Sequence, residues 1–258
     1  MIIRTDDRRE GGAPRGWAGT RPAMTTGGAS AHRAVGRSRA ASRPAVAILG
    51  WPGAAASGRR ALPGRSVGET GFPQMQVEET AIPAVKIIIA KKHGDARGFF
   101  SEVYNRSDWE KAGLEFTFVQ DNHSYSAAAG TLRGLHFQTP PFAQDKLVRC
   151  ARGAILDVAV DIRRSSPTFG RHVAVELSAE NWRQLLVPIG FAHAFFTLEP
   201  DVEVLYKTTA LYSAPHDRGI AWDDPAIAIA WPAVAGGPVL SDKDRRLPRL
   251  KDAPDLFE

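Results

Sequence analysis

The stretch Asp157-Val-Ala-Val-Asp-Ile162 alternates strictly, with Val158, Val160 and Ile162 on one face of an extended chain and Asp157 and Asp161 on the other. The same period of two recurs on both sides of it. Val173, Val175 and Leu177 oppose His172 and Glu176, and Val202, Val204 and Tyr206 oppose Glu203 and Lys207. Such runs predict half-buried antiparallel strands. From Ile82 onward they are short and punctuated by Gly, Pro, Asn and Asp, so the fold class is mainly β, a sandwich or barrel, and a jelly roll suits the length. Helix is expected only in short pieces. Ser107 and Glu110 form a capping box for Ser107 to Ala112, with Gly113 as the stop, and a further turn follows Ser178. No internal repeat is apparent.

Charge divides the chain before Met75. The whole chain of 258 residues carries +5, but residues 1–74 hold 12 Arg, no Lys and 4 acids, leaving −3 for residues 75–258. The first part also holds 13 of the 24 Gly and sustains no period of 2 or 3.6, so it is expected to be a disordered Arg/Gly/Ala-rich extension. Its Arg content resembles a transit peptide, and Arg43 to Gly50 followed by Ala54-Ala-Ala resembles a displaced secretion signal. The reading preferred here is that Met75 is the start and residues 1–74 an over-extended frame. A nucleic-acid arm would be expected to carry Lys and interleaved aromatics, so no nucleic-acid partner is expected. Residues 75–258 suffice for one domain with a sizeable core. A single Cys, Cys150, excludes an intrachain disulfide and points to a reducing compartment, the cytoplasm. No apolar run approaches the roughly 18 residues that cross a bilayer, so no membrane partner is expected.

Four clusters carry polar residues among apolar ones, where burial without a partner is costly. They are GDARGFFSE (Gly94 to Glu102), FVQDNHS (Phe118 to Ser124), LRGLHFQ (Leu132 to Gln138) with Lys146 after it, and PIGFAHAFFTL (Pro188 to Leu198). Gln120 and Asn122 point the same way if extended, and Arg133 and Lys146 set two cations near the potential base His136. Each residue also has a plainer reading. A lone His such as His193 or His136 is commonly a hydrogen-bonded core residue, Arg97 and Arg133 ion-pair or surface residues, and Tyr206 and Tyr212 strand packing. Metal-holding jelly rolls often alternate two histidines on one strand, whereas His136 is followed by Phe137 and Gln138, so a metal-free site is expected.

Taken in order, GDARGFF, FVQDNHS, LRGLHFQ, KLVRC, DVAVDIR, SPTFG, LSAEN, GFAHAF and LYKTT resemble segments of the dTDP-4-dehydrorhamnose 3,5-epimerases across nearly all of residues 75–258. The resemblance implies a cupin-type jelly-roll β-sandwich, a homodimer with exchanged strands, no metal and no cofactor. The implied reaction converts dTDP-4-dehydro-6-deoxy-D-glucose to dTDP-4-dehydro-L-rhamnose. By resemblance His136 is the catalytic base, Asp244 its orienting carboxylate, Tyr206 the proton donor and Lys146 the group near the 4-keto oxygen. Arg133 and His193 contact substrate; Arg97, Glu102, Gln120, Asn122 and Lys243 hold nucleotide and diphosphate; Tyr212 stacks on thymine. The chain departs from the family at Leu211, where a second aromatic is common, and at Ala194, where Gly is common. Relatives that epimerise only carbon 3 or carbon 5 share the base and acid, and a non-catalytic nucleotide-sugar-binding cupin is the reading of another class.

Overall fold

The computed structural model describes residues 74–258, so the expectation for residues 1–74 lies, Gln74 apart, outside the described residues. Thirteen strands and one helix follow in chain order: β1 (Met75–Glu79), β2 (Lys86–Ala90), β3 (His93–Asp95), β4 (Gly98–Phe100), α1 (Arg106–Lys111), β5 (Gln120–Ser126), β6 (Leu132–Gln138), β7 (Lys146–Arg152), β8 (Ala154–Asp161), β9 (His172–Ser178), β10 (Arg183–Val187), β11 (Phe191–Thr197), β12 (Val202–Thr208) and β13 (Asp217–Gly219). Pairing is nested and antiparallel: β8 with β9, β7 with β10, β6 with β11, β5 with β12. This is the jelly roll that the strand pattern predicts. It yields a six-stranded sheet, β1-β2-β10-β7-β12-β5, and a five-stranded sheet, β13-β6-β11-β8-β9, with β3 and β4 apart as a hairpin.

Apolar side chains fill three places. Val148, Cys150, Ile155, Ala159, Leu177, Leu185, Phe195 and Val204 form the core between the sheets. Leu135, Phe137, Val158, Val160, Ile162, Ala192 and Ala194 lie on the outer face of the five-stranded sheet, where Ile220, Ile227, Leu250, Ala253 and Leu256 of the C-terminal segment cover them. Trp109 of α1 and Leu114 cover Ile88, Leu147 and Leu186 on the other sheet.

The sequence reading of β8 requires correction. Its alternation is right, but the strand is not half-buried: Asp157 and Asp161 are as inaccessible as the valines. Both take hydrogen bonds there, Asp157 from His193 at 2.8 Å. Arg163, Ser166 and Thr168 donate to Asp161 and hold its carboxyl down near pKa 2 against the opposing effect of burial. The helix start also moves. Asn105, not Ser107, is the cap: its side chain accepts from the Ser107 N–H at 3.0 Å, and α1 begins at Arg106. Gly113 ends the helix as expected, at φ +75°. The turn after Ser178 forms as a single turn in which the Trp182 N–H donates to Ser178 O at 3.2 Å.

Candidate active site

Period two sends alternate residues of each strand into the sandwich, and at one end these are polar. On the six-stranded sheet Tyr206 stands opposite both Asn122 and Val148, and Thr208 opposite Gln120 and Lys146. Gln120 Nε2 donates to Asn122 Oδ1 at 2.8 Å, so the two share a face as the extended reading requires. Across from them, His193 pairs with His136 and Phe195 with Arg133. Two steps along β11 thus match three along β6, which is a β-bulge. It brings Arg133 and His136 to the same inner face, although their spacing of three would part them in a regular strand. Gly134 makes this possible, because a Cβ there would lie 2.5 Å from both Ala194 Cβ and His193 O.

Each histidine takes an aspartate. His136 Nε2–H donates to Asp244 Oδ1 at 2.6 Å, and Ser241 Oγ–H donates to Asp244 Oδ2 at 2.8 Å. Burial pushes the His136 imidazole below its ordinary pKa of 6.5, opposed by the hydrogen bond and charge of Asp244. Burial alone would raise Asp244; the hydrogen bonds from His136 and Ser241 and the nearby Lys243 outweigh it and keep the group a carboxylate. His193 Nε2–H donates to Asp157 Oδ1 at 2.8 Å, while Asp157 Oδ2, wholly buried, has no hydrogen-bond partner among the described residues. Lys146 Nζ donates to the His136 carbonyl at 3.4 Å, and burial, countered by Asp217 and Asp157, pushes its pKa down to about 8. Burial raises the Tyr206 phenol above 10, so it holds its proton at neutral pH. Arg133 donates to Ser126 Oγ at 3.3 Å and to the Tyr125 carbonyl at 3.1 Å. The set provides a neutral base, a protonated acid and a buried cation at one end of the sandwich.

The structure also gathers a group at the rim. Lys243 is ion-paired with Asp217 of β13, and Tyr212 Oη–H donates to the same carboxylate at 3.1 Å. Gln120 Oε1 accepts from the Tyr212 N–H at 2.9 Å. Asp217 escaped the sequence reading, since a lone acid in Ser213-Ala-Pro-His-Asp217 looks like a turn residue; Asp157 escaped because β8 was given a solvent face. Arg97 and Glu102 are not bonded to this cluster; Glu102 lies between Ser101, which accepts from Trp182 Nε1–H, and Val103, whose carbonyl accepts from Gln184. Arg97 is paired with Asp95 on its own hairpin and is 89% exposed. The hairpin rests on Trp182 through Phe99, with ring centroids 4.9 Å apart. Trp182 precedes β10, whose register puts Gln184 opposite Arg149 and Val187 opposite Lys146. The anchor therefore lies about 17 Å along the sheet from Lys146, at about 3.4 Å per residue. Among the described residues no three His, Cys, Asp or Glu side chains converge in a group suited to a metal ion, and no helix is long and apolar enough to cross a membrane.

The family profile described as dTDP-4-dehydrorhamnose 3,5-epimerase matches residues 79–252. The chain belongs to the dTDP-4-dehydrorhamnose 3,5-epimerase family. It is 53% identical over 192 residues to the Sinorhizobium fredii dTDP-4-dehydrorhamnose 3,5-epimerase, covering 74% of this chain and 98% of that protein. The crystal structure of the Bacillus anthracis enzyme with TDP and PPi bound superposes with a TM-score of 0.66 at 53% identity, over 68% of this chain and 99% of that one. The Legionella pneumophila enzyme, solved in complex with dTDP-4-keto-L-rhamnose, gives 0.66 at 44% identity over 69% and 94%. This epimerase therefore has the cupin-type jelly roll of its relatives, with the polar end of the sandwich as its candidate active site.

Proposed function

We propose that the chain epimerises dTDP-4-dehydro-6-deoxy-D-glucose at carbons 3 and 5, giving dTDP-4-dehydro-L-rhamnose for dTDP-L-rhamnose biosynthesis. The protons on both carbons flank the 4-keto group, so removing either leaves an enolate. His136, neutral at pH 7 and oriented by Asp244, takes each proton; Lys146 stabilises the enolate oxygen; Tyr206 returns a proton to the opposite face. Arg133 and His193 hold the sugar, Gln120, Asn122 and Lys243 the nucleotide and diphosphate, and Tyr212 stacks on thymine. The observation that carries this reading is the His136–Asp244 pair on the inner face of the five-stranded sheet, across the sandwich from Lys146 and Tyr206 on the six-stranded sheet. Incubation in deuterium oxide tests it: label is expected at both carbons, and label at one alone would overturn the 3,5 assignment in favour of a single-carbon epimerase.

A homodimer completes the site in this reading. Phe99 and Phe100 are 55% and 66% exposed on the β3–β4 hairpin, beside Arg97. Such a patch, unable to reach its own cluster, fits a partner subunit's site, where Arg97 and Glu102 would meet the diphosphate and nucleotide. Mixing Arg97→Ala protein with His136→Ala protein, each nearly inactive alone, is expected to restore about a quarter of parental activity if subunits reassort at random, and no restoration would overturn the exchange. Cytoplasmic location follows from the cytoplasmic supply of nucleotide sugars this reading assumes.

A further inference from the structure

The turn that supplies Asp244 also supplies Lys243. Residues Asp244–Arg246 form one turn of 3-10 helix with Lys243 before it. Ser241 closes it from both sides: its Oγ receives the Asp244 N–H at 3.1 Å and donates to Asp244 Oδ2, and its carbonyl accepts the Arg245 N–H at 3.1 Å. Arg246 N–H reaches the Lys243 carbonyl at 3.0 Å, and Arg246 Nε the Asp242 carbonyl at 3.0 Å. Upstream, Leu132 N–H donates to Val239 O and Val239 N–H to Gly130 O, which ties the turn to the start of β6. Asp244 points inward and is buried, whereas Lys243 is 46% exposed at the rim. Lys243 then returns to the same strand neighbourhood, since its partner Asp217 stands opposite Gln138 on β13, and Gly219 two residues on stands opposite His136. The contacts close a ring from His136 through Asp244, Lys243, Asp217 and β13 back to β6.

We infer that Lys243 is a positioning residue for the His136 base as well as a diphosphate contact, the turn carrying both side chains so that occupancy of the diphosphate position fixes Asp244 and, through it, the imidazole. The inference rests on the assignment of Lys243 to the diphosphate made above. A diphosphate that engages Lys243 pulls on a backbone already locked to Asp244, and binding energy remote from the reacting carbons is spent on orienting the base. By reciprocity, loosening Asp244 weakens binding of a nucleotide diphosphate it does not touch.

Lys243→Met and Lys243→Arg test this, with TDP as probe and kcat followed against pH. Groups facing His136 are Asp244, Lys243 and Lys146, with His193 opposite on β11. Removing a nearby positive charge alone raises the imidazole pKa, whereas releasing it from Asp244 lowers it. Lys243→Met is expected to weaken TDP binding, to lower kcat at saturating substrate by about 10-fold, within the usual span of site coupling, and to move the acid limb of kcat to lower pH; Lys243→Arg restores most of each. Asp244→Asn is expected to weaken TDP severalfold. An acid limb that rises or stays put, or a raised KM with kcat unchanged, overturns the positioning role and leaves the diphosphate assignment standing. Unchanged TDP affinity and KM in Lys243→Met overturn that assignment itself.

Discussion

His136 and His193 face each other on neighbouring strands, and each gives its Nε2–H to an aspartate, yet the two pairs are built differently. Asp157 belongs to β8, which is hydrogen-bonded to the strand that carries His193, so the ladder itself fixes both members. Asp244 comes from a turn 108 residues after His136 and reaches it across the edge of the sheet. The first pair is nearly inaccessible, its imidazole 9% exposed; the second has an imidazole 30% exposed and a carboxylate held by its own serine. A pair inside the ladder serves the frame and presents His193 in a fixed place. A pair with one member on a separate segment can be tuned, and its histidine is the more open of the two, as the proposed role of base requires.

The contrast can be broken in order of expected effect. His136→Ala should cost 10²–10⁴-fold in kcat, the range that general base catalysis supplies, with thermal midpoint little changed; His193→Ala should cost far less in kcat, and equal losses would erase the distinction. Asp244→Asn should lower kcat by about 10²-fold, since an amide does not stabilise the imidazolium. Asp157→Ala should act mainly on stability, leaving the buried His193 N–H without an acceptor at about 1–3 kcal/mol; at about 2–4 °C per kcal/mol for a domain this size, calorimetry will read it. Activity loss without a midpoint change in Asp157→Ala would refute its framing role.

Protonation sharpens the same comparison. Activity should fall on the acid side only below the ordinary imidazole pKa of 6.5, because burial pushes His136 down, and on the alkaline side near pH 8 as Lys146 loses its proton. Stability runs the other way. With a folded pKa of about 8 against 10.5, Lys146 leaves the unfolded chain binding more protons between those values, so its contribution to stability rises through the window in which activity declines. Parallel pH titrations of turnover and of denaturant midpoint check the opposed slopes, and Lys146→Arg should flatten the alkaline limb of turnover. The smallest effect is none: incubation with a chelator should leave turnover unchanged, and lost activity would revive a metal-dependent reading.

The fold was legible where period two and turn residues spoke, and the dyad His136 with Asp244 was legible through motif resemblance. What the sequence could not show is which face of a strand looks inward. Val158, Val160 and Ile162 form the apolar side of β8, but the C-terminal segment covers them from outside, and the acidic side is the one turned into the sandwich. Alternation has no sign until a covering segment is placed. The bulge at Gly134 was hidden for a related reason: a spacing of three in a strand argues against a shared face, and only the β11 register reveals the extra residue. Asp217 and the outward placement of Arg97 depend on tertiary contacts that no local pattern encodes.

The distance in sequence between His136 and Asp244 also sets an order in time. During synthesis the strands from β5 to β12 are all made before residue 244 exists, so the sandwich can close while its base still lacks a carboxylate. In the proposed mechanism a nascent chain that stops short of the Ser241 turn, however well its sheets have formed, has the imidazole without its carboxylate, and full turnover is expected only once the C-terminal segment has arrived.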